Sequence, residues 1–117
     1  MLGVFPDSAR VEDGELVLGG VAASALADRF GTPLVVYCEE TLRARVRALR
    51  GAIGTGRVFY GTKAFANVAL LRLLREEGAG ADVASEGELA FALAAGLGGD
   101  ELVVHGNNKD AVLLAAA

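Results

Sequence analysis

The sequence has few of the features that mark secreted or membrane proteins. Cysteine occurs once among the 117 residues, so Cys38 can form no internal disulfide, and a reducing cytoplasmic location is expected. The longest apolar stretch, residues 89–99, is too short for a bilayer, which takes about 20 residues. The first residues lack the basic and apolar segments of a signal peptide. We therefore expect neither secretion nor a membrane-spanning helix.

Positive charge is also scarce. Eleven Lys and Arg face fifteen Asp and Glu, for a net charge of −4, which leaves no basic surface for nucleic acid. Apolar residues make up 53% of the chain, which excludes intrinsic disorder. The length allows one small domain. Glycine is abundant, with 16 residues, and must separate many short elements.

The N-terminal part of the chain has a hairpin signal followed by two helical patterns. Asp13-Gly14 between extended runs predicts a two-residue β-turn, and we assign residues 1–20 to this strand and hairpin segment. A helix is predicted over 21–30, a short apolar strand over 34–37, and a helix over 39–50. Cys38 is interpreted as a small hydrophobe at the end of that strand.

The remaining sequence alternates between strands and helices. Strands are predicted at 58–60, 81–84 and 102–105, and helices at 67–77, after a Ser85-x-x-Glu88 capping box, and from Ala111, where Asp110 would be the cap. The strands begin at intervals of little more than about twenty residues, the period of a parallel α/β sheet. Three βα units form either a small open sheet or the first part of an eight-stranded barrel. The helical pattern runs to Ala117 without a C-terminal signal, which favours an incomplete barrel domain over 21–117.

The loops after parallel strands share one face, and candidate site residues fall there. Nine of the eleven basic residues are arginine, whereas both lysines, Lys63 and Lys109, follow strands. An amine can form a Schiff base with a carbonyl group and a guanidinium cannot. The apolar strand before Lys63 predicts a partly desolvated side chain and hence the neutral nucleophile. A solvated loop lysine or a phosphate contact is the alternative.

Other polar residues on this face have weaker signals. Asp82 lies in an otherwise apolar strand and is expected to have a partner or a role, although a solvent-facing carboxylate is an equal alternative. Ser85 and Glu88 are assigned mainly to capping. His105 is interpreted as a polar strand-end residue, with contact to a ligand as the alternative. No metal site is predicted.

Three motifs in order resemble the N-terminal part of the diaminopimelate decarboxylases, which belong to the alanine-racemase-like, fold-type III pyridoxal-phosphate enzymes. They are Tyr60-Gly-Thr-Lys63-Ala-Phe, Gly80-Ala-Asp82-Val-Ala-Ser85-Glu-Gly-Glu88-Leu and Val104-His105-Gly-Asn-Asn-Lys109. A Gly-Thr-Pro segment at 31–33 is similar as well, so the resemblance extends from about residue 14 to Lys109.

The resemblance implies both a fold and a chemistry. The fold would be the N-terminal portion of a pyridoxal-phosphate-binding (β/α)8 TIM barrel, about three βα units after a hairpin and two helices, with the C-terminal β-domain absent. Lys63 would hold pyridoxal phosphate as an internal aldimine, and Asp82 would act electrostatically near the cofactor. The full-length enzyme would be a homodimer that decarboxylates meso-2,6-diaminopimelate to L-lysine, and we expect the chain alone to be inactive.

Two departures and several alternatives accompany this resemblance. The commoner family motif has alanine where this chain has Gly61 and asparagine where it has Phe65. We interpret these two differences as typical of one subgroup of the diaminopimelate decarboxylases. A non-catalytic pyridoxal-phosphate-binding protein and a small α/β binding module remain open. So does a related decarboxylase acting on ornithine, arginine or carboxynorspermidine.

Overall fold

The computed structural model describes residues 4–107, 109 and 111–116. The chain divides into two compact units, Met1–Arg45 and Val46–Ala117, and the boundary falls inside one helix. The finer assignment of residues 1–20 and 21–117 to separate segments remains a prediction.

The first unit begins with a small antiparallel sheet. Its strands are β1 (Arg10–Glu12), β2 (Glu15–Leu18) and β3 (Val21–Ala22), in that spatial order. The turn between β1 and β2 has φ 50° at Asp13 and φ 84° at Gly14. Positive φ at both central residues is the type I′ geometry, whose twist matches that of the strands. The predicted hairpin is confirmed.

Helix α1 (Ala23–Phe30) follows β3 directly and is capped by Gly31, although the first two residues predicted for this helix belong to β3. The predicted strand at 34–37 is wrong. No strand is assigned there, and all four side chains are exposed, Val35 at 77%. An apolar run becomes a strand only when a neighbouring strand accepts its hydrogen bonds, and the described residues provide none for this segment. The expectation that Cys38 ends a strand fails with it.

Helix α2 (Glu39–Ile53) confirms the helix predicted over 39–50 and runs three residues further than expected. Acidic residues at its start, Glu39 and Glu40, and a basic residue in its last turn, Arg50, complement the helix dipole. Among the apolar residues of α2, Val46 is buried, whereas Leu49 and Ile53 are about half exposed.

The second unit is a three-stranded parallel sheet with βα connections. Its elements are β4 (Phe59–Gly61), α3 (Val68–Glu76), β5 (Gly80–Val83), α4 (Glu86–Ala94), a 3-10 turn (Gly99–Glu101), β6 (Leu102–Val104) and α5 (Ala111–Ala116). The strands lie in the order β4-β5-β6, with Phe59 opposite Gly80 and Ala81 opposite Leu102. The predicted βα period is confirmed. The proposed Asp110 cap lies outside the described residues.

The core of this unit lies between the sheet and its helices. β5 is the central strand, and Ala81 and Val83 are fully buried in it. Buried helix and loop residues pack around them, and the cluster comprises Leu71, Ala81, Val83, Leu89, Ala92, Ala95, Leu97 and Leu113. Because the centre of the sheet is fixed in this way, the residues at the carboxyl ends of its strands have a rigid base.

Candidate active site

The carboxyl ends of β4, β5 and β6 meet at one edge of the sheet. The backbone N–H of Thr62, just after β4, donates to the carbonyl of Asp82 in β5 at 3.0 Å. The N–H of His105, just after β6, donates to the carbonyl of Val83 at 2.9 Å. These bonds continue the parallel ladder beyond the strands. The prediction that the three strand ends share one edge is confirmed for these residues.

Lys63 lies in a tight turn at this edge. The N–H of Ala64 donates to the carbonyl of Gly61 at 3.2 Å, so Thr62 and Lys63 are the two central residues of a β-turn. The hydroxyl of Tyr60 donates to the carbonyl of Phe65 at 3.2 Å and ties the chain across this turn. The Lys63 side chain is exposed. We expected the Lys63 side chain to be partly desolvated, and in the described part of the chain this expectation is wrong, because the turn places the lysine beyond the apolar strand.

Asp82 is hydrogen-bonded to the one histidine of the chain. Its carboxylate bonds to Nδ1 of His105, and both side chains are partly exposed, at 30% and 55%. The expectation that a carboxylate in an apolar strand has a partner is confirmed. Because the ring is held at Nδ1, its other nitrogen, Nε2, is left as the group that can face a ligand. The sequence placed both residues on this face, but their pairing across two strands was not predicted.

Thr62 and Glu88 form a second polar pair, which the sequence reasoning missed. Thr62 is 1% exposed, and its hydroxyl lies 2.8 Å from Oε2 of Glu88. The same carboxylate oxygen accepts the N–H of Ala84 at 2.7 Å. The position of a hydroxyl residue directly between the apolar strand and Lys63 was the available signal.

The Ser85-x-x-Glu88 motif is therefore only partly a capping box. Ser85 is the N-cap of α4, and its hydroxyl accepts the N–H of Glu88 at 3.2 Å, as predicted. The Glu88 side chain does not return to the N–H of Ser85, because it bonds instead to Ala84 and Thr62. The glutamate thus joins the start of α4 to the turn that carries Lys63.

The other candidate residues lie outside these contacts. Lys109 is exposed in the segment after β6. Cys38, in the first unit, lies 3.4 Å from the hydroxyl of Ser8, and that hydrogen bond, with smaller contributions from Thr41, lowers the pKa of the thiol.

Within residues 4–107, 109 and 111–116, no group of three or more His, Cys, Asp or Glu is placed to hold a metal ion. None of the helices in this part of the chain is long and apolar enough to cross a membrane.

Comparison with known proteins gives this site a chemical context. A family model described as the pyridoxal-binding domain of the pyridoxal-dependent decarboxylases matches residues 39–117. The diaminopimelate decarboxylase of Corynebacterium efficiens is 46% identical over 115 residues, an alignment that covers 97% of this chain and 25% of the relative. That of Bacillus subtilis is 44% identical over 102 residues, covering 84% of this chain and 23% of the relative. The chain thus spans about a quarter of the length of these curated relatives.

A solved structure shows the same arrangement of elements. The diaminopimelate decarboxylase of M. jannaschii, in co-complex with L-lysine, superposes with a TM-score of 0.77 at 35% identity. The superposition covers 94% of this chain and 28% of that one. At 35% identity, the two proteins share many residues as well as the backbone fold.

Proposed function

The chain belongs to the pyridoxal-dependent decarboxylase family, and on that premise we propose that its full-length protein decarboxylates meso-2,6-diaminopimelate to L-lysine. The observation that carries this proposal is an exposed primary amine, Lys63, on a fixed turn at the carboxyl edge of a parallel sheet. The choice of substrate is supported by the identity of 40–46% to diaminopimelate decarboxylases over most of the chain. The structure solved with L-lysine, the expected product, supports the same choice.

The residues at this edge fit pyridoxal phosphate. The cofactor carries an aldehyde, and an accessible lysine amine is the protein group that binds an aldehyde covalently. When bound, the cofactor supplies an electron sink for the electrons released as carbon dioxide departs. Lys63 is the residue that we assign to this linkage.

Asp82 is assigned an electrostatic role beside Lys63. A carboxylate near an amine or imine nitrogen favours the protonated, positively charged form of that nitrogen. His105 holds the Asp82 carboxylate at the sheet edge, so the negative charge stays in one position. Both residues are therefore proposed to belong to the cofactor site, Asp82 by its charge and His105 by orienting it.

We also propose that the full-length protein is a cytoplasmic homodimer. The resemblance to decarboxylases that build their active sites across a dimer supports the oligomeric state. A single cysteine in 117 residues supports the reducing compartment.

Borohydride trapping of the full-length protein tests the assignment of Lys63. Pyridoxal phosphate and the lysine amine join with loss of one water, and hydride from borohydride reduces the resulting C=N bond to a stable amine. Peptide mass spectrometry is expected to find the adduct on Lys63, to lose it in Lys63→Ala, and to keep it in Lys109→Ala, the matched change at the second lysine. An adduct on Lys109 instead would overturn the assignment.

The substrate is tested separately by supplying meso-diaminopimelate to the loaded full-length protein. Release of carbon dioxide and L-lysine in equal amounts is expected. A protein that forms the Lys63 adduct and yet produces no lysine contradicts the proposed reaction, although it still binds the cofactor.

A further inference from the structure

We propose that Thr62 and Glu88 form a positioning pair that fixes the turn carrying Lys63 and so sets the rate at which its amine captures pyridoxal phosphate. The proposal deepens the proposed function and rests on it for the role of Lys63. Neither residue is assigned to contact the cofactor, and both act through the turn.

The direction of the hydrogen bonds at Thr62 follows from the strength of its two acceptors. The Thr62 hydroxyl lies 2.9 Å from the carbonyl of Asp82 and 2.8 Å from Oε2 of Glu88, but it has one proton to donate. The Asp82 carbonyl already accepts the backbone N–H of Thr62 at 3.0 Å. That carbonyl can accept a second bond, but a carboxylate oxygen is the stronger acceptor, so we assign the hydroxyl proton to Glu88. A hydrogen bond to a carboxylate is shorter and stronger than one between neutral groups.

Glu88 is itself held in place from two sides. It lies in the first turn of α4, where the helix dipole stabilises a negative charge. Its Oε2 accepts the N–H of Ala84 at 2.7 Å as well as the Thr62 hydroxyl. One carboxylate oxygen thus connects the segment after β5 to the turn after β4.

Lys63 gains a fixed backbone from this connection. Thr62 and Lys63 are consecutive central residues of the turn closed by the bond from Ala64 to Gly61. Because Thr62 is 1% exposed and bonded through both its backbone and its side chain, the Cα of Lys63 has little freedom, although its side chain is exposed. A reacting group held in the right place reacts faster, since less entropy is lost on reaching the transition state.

The test measures how fast the full-length apoprotein forms the borohydride-stable adduct on Lys63. Thr62→Val keeps the shape of the side chain and removes the hydroxyl, and we expect capture to slow by about tenfold. Thr62→Ser keeps the hydroxyl and should stay within about threefold of the natural protein. Glu88→Gln should slow capture by less than Thr62→Val, since one amide oxygen can still accept both bonds that now end on Oε2 but lacks the charge that strengthens them.

A matched control separates positioning from general loss of stability. Asn67 caps α3 by accepting the N–H of Ala69 at 2.9 Å and of Leu70 at 3.2 Å, and its side chain makes no hydrogen bond to the Lys63 turn among those found in the described residues. Asn67→Ala should lower the melting temperature at least as much as Thr62→Val without slowing capture. Equal slowing in the two variants would overturn the proposal.

A double-mutant cycle and hydrogen exchange complete the experiment. The effects of Thr62→Val and Glu88→Ala on capture should be far from additive, because each removes the same bond; additive effects would refute the pair. In Thr62→Val, a peptide covering residues 61–66 should exchange its amides faster, a readout that needs no cofactor, and unchanged exchange would also refute the pair. If the natural protein forms no adduct on Lys63, the proposed function fails, and the exchange result still decides whether Thr62 and Glu88 fix the turn.

Discussion

Gly80→Ala is expected to destabilise the parallel sheet strongly, because no space exists for a methyl group at this position. A Cβ added to Gly80 would collide with the carbonyl oxygen of Glu101 and would lie 2.6 Å from Cδ1 of Phe59. Phe59 belongs to β4, and Glu101 ends the 3-10 turn that leads directly into β6. An alanine in the central strand would therefore press on both neighbouring strands at once.

The size of this effect follows from what the neighbours can do. Overpacking a close-packed region costs about 1–3 kcal/mol, and a backbone oxygen, unlike a flexible side chain, cannot rotate away. We therefore expect a loss of about 3 kcal/mol, which lowers the ratio of folded to unfolded protein by more than about 100-fold. For a barrel-sized domain, about 2–4 °C of melting temperature corresponds to each kcal/mol, so the midpoint should fall by about 6–12 °C.

Scanning calorimetry of the full-length protein measures this shift, and Gly61→Ala is the matched control. A Cβ at Gly61 would meet no atom within 4 Å, and its φ is not positive. The control should therefore melt at or slightly above the natural temperature, since alanine restricts the unfolded chain. A Gly80→Ala protein that melts within about 1 °C of the natural one, or a Gly61→Ala protein that falls as far, would refute this reasoning.

Two further predictions follow from shifted ionisation. Hydrogen bonds from Ser8 and then Thr41 lower the pKa of the Cys38 thiol, so Ser8→Ala should slow its alkylation by iodoacetamide near neutral pH, and an unchanged rate would contradict this. The hydrogen bond from Arg75 lowers the pKa of Glu101 in the folded protein, so the pair adds stability above the ordinary glutamate pKa of about 4.3 and loses it as the pH falls through the lowered value. The destabilisation caused by Glu101→Gln, measured in urea, should thus be larger at pH 7 than in acid, and a constant difference would contradict the assignment.

The parts of the fold that the sequence predicted are those that depend on local chemistry. Asp13-Gly14 forms its turn because both residues tolerate positive φ, and Ser85 caps α4 because its hydroxyl reaches an unpaired N–H nearby. The parallel order of β4, β5 and β6 follows from repeated strands and helices of regular length. In each case the interacting groups are close in the sequence or recur with a fixed period.

The parts that the sequence missed depend on partners distant in the chain. An apolar run at 34–37 has the composition of a strand, but the described residues offer it no strand to pair with. The pairing of Asp82 with His105 spans 23 residues, and that of Thr62 with Glu88 spans 26. Sequence position could place these residues at the same edge of a sheet, but it could not say which side chains would bond to each other.

The constant offset between paired strands has a consequence for how the second unit is made. Phe59 pairs with Gly80 and Ala81 with Leu102, an offset of about 21 residues in both pairs. The strands therefore lie side by side in the order in which they are synthesised, β4, β5 and then β6. As the chain leaves the ribosome, each new strand can add to an edge that already exists, and the loop to be closed keeps the same length each time. The turn at Lys63 gains its contacts with Asp82 and Glu88 from the next strand and helix. The turn at Lys63 can therefore gain these contacts during translation, before β6 is added and His105 reaches Asp82.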